Sequence, residues 1–156
     1  MKYIEEAIIE KHDMLYRIAF KYLNNHDDTL DALQETAYKA IKYSRKLKNE
    51  AYTSTWITRI LINTCFQMLK KKKKYEWVEL DERVNKGCEL ESELELDDLI
   101  LKINSKYRDV IVMKYIEGYK IKEIAEIYDK PENTIKTWLR RGLKSLEKEV
   151  SYEWLQ

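Results

Sequence analysis

Lys136, Thr137, Arg140 and Arg141 stand at helical spacing near the start of one predicted helix, which places three cations and a hydroxyl on its outward side. Lysine and arginine donate hydrogen bonds to phosphate oxygens and guanine edges, and threonine can reach a phosphate or a thymine methyl. That is the chemistry of duplex recognition, not of bond cleavage. A solvated basic face on an ordinary helical hairpin would carry the same charges, so the surrounding elements must decide the reading.

Those elements are two helices hinged by a tight turn, within KIKEIAEIYDKPENTIKTWLRRGLKSL, Lys120 to Leu146. Ile121, Ile124, Ala125 and Tyr128 recur at three- and four-residue steps, while Lys122, Glu123 and Glu126 take the other side. Pro131 lacks an amide hydrogen and restricts Lys130, so the first helix should end near Asp129 and the second begin shortly after Pro131. The second helix should bury Ile135, Leu139, Gly142 and Leu146, with Ala125 small enough to let the two helices approach. This is a helix-turn-helix, whose second helix enters a major groove.

Composition argues against catalysis. The chain has only His12 and His26, three glycines and no phosphate-cradling loop, and no paired residues of catalytic type can be identified. Cys65 and Cys88 stand alone, without CxxC spacing or a histidine partner. No catalytic residue, metal site, cofactor or small-molecule substrate is therefore expected. With one proline, few glycines and helical periodicity almost throughout, the fold class is all-α. No apolar run approaches the ~20 residues that span a bilayer. The N-terminus MKYIEEAIIEKHD also lacks the apolar core of a secretion signal, so a cytoplasmic protein is expected.

The net charge of +1 conceals a division. Met1 to Lys74 hold 15 Lys and Arg against 9 Asp and Glu, Tyr75 to Asp98 hold 2 against 10, and Leu99 to Gln156 hold 12 against 9. Two basic helical domains, 1–74 and 96–156, are predicted on either side of an acidic connector, 75–95. The connector is poorly periodic and contains Gly87, so it should be a flexible linker, disordered or only transiently helical.

In the first domain Ile8, Leu15, Ile18, Ala19 and Tyr22 form a stripe that ends at Asn24 and Asn25. Asp or Thr within His26 to Thr29 should cap the next helix, with Leu30, Leu33, Ala37 and Ile41 inward and Asp31, Gln34, Glu35 and Tyr38 on another face. Arg45 to Thr53 breaks the periodicity and reads as a loop, after which Ser54 or Thr55 could cap a helix. Its stripe is Ile57, Ile60, Leu61, Thr64 and Met68, and Lys70 to Lys74 close it, where lysines suit a helix end or a phosphate.

Both domains, in this order, resemble the sigma-70 family, specifically its extracytoplasmic-function group, which retains only the second and fourth regions of larger members. DALQETAYKAI, Asp31 to Ile41, looks like the helix that docks on the polymerase clamp, and STWITRILINTC, Ser54 to Cys65, looks like the promoter-melting helix. YRDVIVMKYIEGYKIKEIAEIYDKPENTIKTWLRRGLKSL, Tyr107 to Leu146, is similar to the fourth region along its full length. The resemblance implies an alternative sigma factor that binds core RNA polymerase, directs it to promoter DNA and nucleates opening, without being an enzyme. It implies that Asp31, Gln34 and Glu35 meet polymerase and that Lys136, Thr137, Arg140 and Arg141 read a minus-35 element.

It also implies that the loop carrying Lys48, Asn49 and Tyr52 captures an unstacked base, with Tyr52 stacking on it, and that Asn63 reads the minus-10 element. Trp56 matches a family aromatic but reads first as a core residue. An anti-sigma protein is implied as a further partner. Trp138 stands where many relatives carry a basic residue, Lys120 replaces the usual capping hydroxyl, and Ile103-Asn104 replaces a leucine-proline pair. The alternative is a helix-turn-helix repressor or activator that binds DNA on its own, which would normally dimerise on a palindrome. No heptad seam for such a dimer is visible.

Overall fold

A computed structural model of the chain describes residues 2–84 and 96–154, and every regular element among them is helical. Helices α1 (Lys2–Glu10) and α2 (His12–Leu23) are the expected N-terminal pair. Asn24 ends α2 in the left-handed conformation, φ 52°, which asparagine tolerates. Asn25, not Asp or Thr of the following residues, opens α3 (His26–Lys42): its side chain accepts from the Asp28 amide at 2.9 Å. The asparagine pair thus divides two jobs, one needing left-handed backbone and the other an extended residue with a side-chain acceptor.

Helix α3 corrects the predicted stripe. Its buried residues are Thr29, Ala32, Thr36 and Ala40, whereas Leu30 and Ile41 are exposed and Leu33 and Ala37 half-buried. Periodicity gives most weight to large apolar residues, but α3 lies against α4, where small side chains let two helices come close. Two 3-10 turns, Ser44–Lys46 and Glu50–Tyr52, occupy the predicted loop.

Helix α4 (Thr53–Val84) begins at Thr53 rather than after a Ser54 or Thr55 cap. It buries Trp56, Ile57, Leu61, Ile62, Cys65 and Phe66, more than one stripe, because α1, α2 and α3 cover one side and α6 and α7 meet another. Trp56 is a core residue, 2% exposed. The helix also runs past Lys74 to Val84, so the five lysines lie within it and the connector is helical over residues 75–84, contrary to the expectation of a disordered or transient segment. Lysine and glutamate disfavour a core but favour a helix. The rest of the predicted linker, 85–95, lies outside the described residues.

The second module comprises α5 (Leu96–Lys102), α6 (Ser105–Ile111) widening into a π turn (Val112–Ile116), α7 (Ile121–Tyr128) and α8 (Glu132–Trp154). Asn104 caps α6 by accepting from the Lys106 amide at 3.0 Å. Tyr115 and Ile116 are exposed; the π turn shifts the face they occupy. Gly118, φ +77°, makes the turn towards α7. Lys120 has no side-chain acceptor, and Glu123 takes its amide instead at 3.1 Å. Asp129, φ 53°, ends α7, and the hinge before α8 is as short as Pro131 predicts.

At Gly142 a Cβ would lie 2.5 Å from Ile111 Cδ1 and 3.0 Å from Tyr107 Cβ. The close approach of α8 is therefore to α6, not only to Ala125 of α7. Helix α4 packs on α6 and α7, and the buried apolar residues of both modules join in one cluster. No helix among the described residues is long and apolar enough to cross a membrane.

Candidate nucleic-acid interface

Helix α8 presents Lys136, Arg140 and Arg141 to solvent, with Thr137 half-buried beside them. Ile135 and Leu139 on the opposite side are buried, which fixes the rotation of the helix and aims the cations outward. The Thr137 hydroxyl donates to the Asn133 carbonyl at 2.9 Å, leaving its oxygen to accept and its methyl to make apolar contact. Trp138, the departure from the expected basic residue, is turned inward. Its ring meets Tyr128 edge-on at 5.4 Å, and the Lys106 ammonium lies 4.8 Å from its centroid. It anchors α8 to α6 and α7, so the cationic face does not depend on it.

Asp31, Gln34 and Glu35 are exposed along α3 and share a face. Asp31 and Glu35 border a groove between α3 and α4 whose other wall carries Lys70, Lys71 and Lys74. Lys39 spans it, reaching Thr64 Oγ1 at 3.2 Å, Gln67 Oε1 at 3.3 Å and the Glu35 carboxylate at 3.8 Å. Asp31 and Glu35 therefore sit at the rim of a two-signed groove, where exposed ion pairs exchange readily for a partner's.

Of the residues expected at the minus-10 element, Asn63 and Lys48 face the second module. Asn63 is half-buried and donates Nδ2 to Asp109 Oδ2 at 3.0 Å. The Lys48 ammonium is paired with Asp129 Oδ2 at 2.5 Å. Asn49 accepts from the Ala51 amide at 3.0 Å and so caps the turn that carries Tyr52, which is half-buried and packed on the core.

Sequence reasoning missed the groups opposite. Arg108 and Asp109 are side by side and almost wholly buried, with the guanidinium Nε donating to Asp109 Oδ1 at 2.9 Å and its carbon 5.0 Å from the Phe66 centroid. Burial raises the Asp109 carboxyl above the usual carboxylate range, opposed by the Arg108 charge and the hydrogen bond from Asn63. Arg59 of α4 lies 4.1 Å over the Tyr128 ring. The Tyr119 hydroxyl donates to Thr58 at 3.2 Å, while Glu117 accepts from Lys21 at 2.6 Å and Tyr22 at 2.7 Å. The only hint in the sequence was an Arg-Asp pair at the head of an apolar run; nothing in it named a partner 46 residues away.

Among the described residues no group of three or more His, Cys, Asp or Glu could hold a metal ion. Cys65 is buried, which pushes its thiol up to about 12 and leaves it a core residue rather than a nucleophile.

Comparison with known proteins agrees with this layout. Residues 8–75 match the family model of sigma-70 region 2, and residues 93–146 match that of sigma-70 region 4. The RNA polymerase sigma factor SigV of Bacillus subtilis (strain 168) is 33% identical over 94% of this chain and 90% of its own length. The ECF RNA polymerase sigma factor SigW of the same organism is 28% identical over 88% of this chain and 83% of its own. In fold, the chain is similar to the sigma factor RpoE from Bartonella quintana, solved in complex with the anti-sigma factor NepR. The TM-score is 0.53 at 18% identity, covering 97% of this chain and 98% of that one.

Proposed function

This chain belongs to the sigma-70 family of RNA polymerase sigma factors, in its extracytoplasmic-function group, and from that premise we propose how its surfaces divide the work of promoter selection. It is an alternative sigma factor: it binds core RNA polymerase and directs it to promoter DNA. Its contribution is recognition and positioning, and the chemistry of RNA synthesis belongs to polymerase. We place it in the cytoplasm, where polymerase works, and expect an anti-sigma protein among its partners.

In our reading Lys136, Thr137, Arg140 and Arg141 contact the minus-35 element, with α8 lying in the major groove. The observation that carries this assignment is the solvent-facing cation row on a helix whose opposite side is locked by Ile135, Leu139 and Gly142. Asp31, Gln34 and Glu35 dock on polymerase. Asn63, Lys48 and Asn49 serve the minus-10 strand, and Tyr52 stacks on a base.

The deciding experiment is run-off transcription by bacterial core polymerase with and without this chain, using a promoter library. The expected result is initiation from a two-part promoter only when the chain is present. A chain that gave polymerase no promoter preference, yet alone gripped a palindrome as a dimer, would overturn the assignment. Reversing Glu35→Lys should abolish pull-down of polymerase while leaving the helical circular-dichroism spectrum unchanged.

A further inference from the structure

We propose that Asn133 reads an adenine in the minus-35 element, donating from Nδ2 to adenine N7 and accepting at Oδ1 from the adenine N6 amino group. This deepens, and rests on, the assignment of α8 to that element.

Asn133 belongs to the same face as the cations. Lys136, Thr137, Arg140 and Arg141 follow it at three, four, seven and eight residues, the spacing that returns a helix to one side. It is exposed, whereas Ile135 and Leu139 behind it are buried. Side chains lean towards the start of their helix, so Asn133 projects ahead of the row, and the N-terminal residues of a recognition helix are those that reach base edges.

The fold makes no use of this amide. Asn25, Asn49 and Asn104 cap helices or turns, Asn63 donates to Asp109, and Asn24 supplies the left-handed end of α2. The Asn133 side chain makes no hydrogen bond to any described residue, and α8 begins at Glu132, so it is not the cap. Nor does it favour the helix, since asparagine is among the weaker helix formers. The Thr137 hydroxyl donates to the Asn133 carbonyl at 2.9 Å, which commits the donor of the other neutral side chain on the face. Asn133 is left with a free donor and a free acceptor side by side.

Charge decides between a base and a phosphate as its partner. Residues 132–135 hold no cation, and the exposed neighbour of Asn133 is Glu132. Phosphates are therefore drawn to the row behind it, not to this end of α8. In the major groove, adenine sets an acceptor, N7, beside a donor, N6, and the asparagine amide matches them with two bonds. Guanine offers two acceptors, O6 and N7, and would leave Oδ1 facing an oxygen.

The test uses polymerase carrying the full chain, with binding measured on the promoter it selects and on copies changed at one minus-35 position at a time. At one adenine, each replacement should weaken the parent about tenfold, and 7-deazaadenine, which removes only the N7 acceptor, should weaken it several-fold. Asn133→Ala should erase both losses at that position and keep the preferences at the others. Asn133→Arg should turn the preference there to guanine. Uniform weakening of Asn133→Ala on every promoter would make the residue a phosphate contact and overturn the proposal. So would losses that persist in that variant, or a parent indifferent to 7-deazaadenine at every position. Because the analogue is read in the parent chain, the outcome stands even if a variant misfolds, which a melting curve checks. If Lys136→Ala and Arg141→Ala also left minus-35 selection unchanged, the assignment of α8 would fall; if they altered it, only the adenine contact would.

Discussion

The two surfaces assigned to DNA are built in opposite ways. The face of α8 is an open row of cations whose only demand on the rest of the protein is a buried opposite side. The residues proposed for the minus-10 strand are spread over α4 and the turns before it, and two of them, Asn63 and Lys48, are already hydrogen-bonded to the second module. The first can meet a duplex as it stands. The second, on the proposed assignment, gives up intramolecular partners at Asn63 and Lys48 to do so.

The sharpest way to break the comparison is at the centre of the closed face. Asp109→Ala leaves the Arg108 guanidinium buried without its carboxylate, and loss of one member of a buried pair costs about 3 to 5 kcal/mol. Urea unfolding should register that loss. A change under 1 kcal/mol would mean that Arg108 reaches water and that the closed face is soft throughout.

On the open face the effect should be smaller and confined to DNA. Lys136→Ala or Arg141→Ala should weaken promoter binding by the polymerase complex by about 1 to 3 kcal/mol where a base contact is lost, with an unchanged melting temperature. Filter binding against promoters altered at single positions would measure it. Unchanged selection in both variants would remove the assignment.

Gly142→Ala probes what holds that face in place. Its Cβ would fall 2.5 Å from Ile111 Cδ1, and the strain should outweigh the gain in helix propensity, for a net loss of about 1 kcal/mol in thermal unfolding. Pairing it with Ile111→Val should recover part of the loss.

The smallest effect is one of pH. Because burial raises the Asp109 carboxyl, the folded chain holds that proton more tightly than the unfolded chain. The stability contributed is fully present below the ordinary aspartate value, about 3.9, and is lost as pH rises through the elevated folded value. Relative to Asp109→Asn, the parent chain should therefore lose stability as pH climbs through that window. A stability difference between the two that does not vary with pH would contradict the raised carboxyl.

Much of this molecule was legible because its signals are local. The α7–α8 hinge follows from Pro131, and the outward row on α8 from the spacing of Ile135 and Leu139. The stripe on α3 was misread because Leu30 and Ile41 look like core residues, whereas burial there went to Thr29, Ala32, Thr36 and Ala40 under close packing with α4. The acid-rich start of the connector gave no sign of extending α4, since the same charges that forbid a core are good helix formers.

By itself the sequence determined the all-helical class, the order of the modules, the family and the cations of α8, because each depends on neighbours a turn or so apart. Only the tertiary structure decided that Asn63 meets Asp109, that Lys48 meets Asp129 and that Trp138 turns inward. Those outcomes depend on which helix faces are driven out of water against each other, and residues 46 and 81 positions apart carry no local signal of the partner they will find.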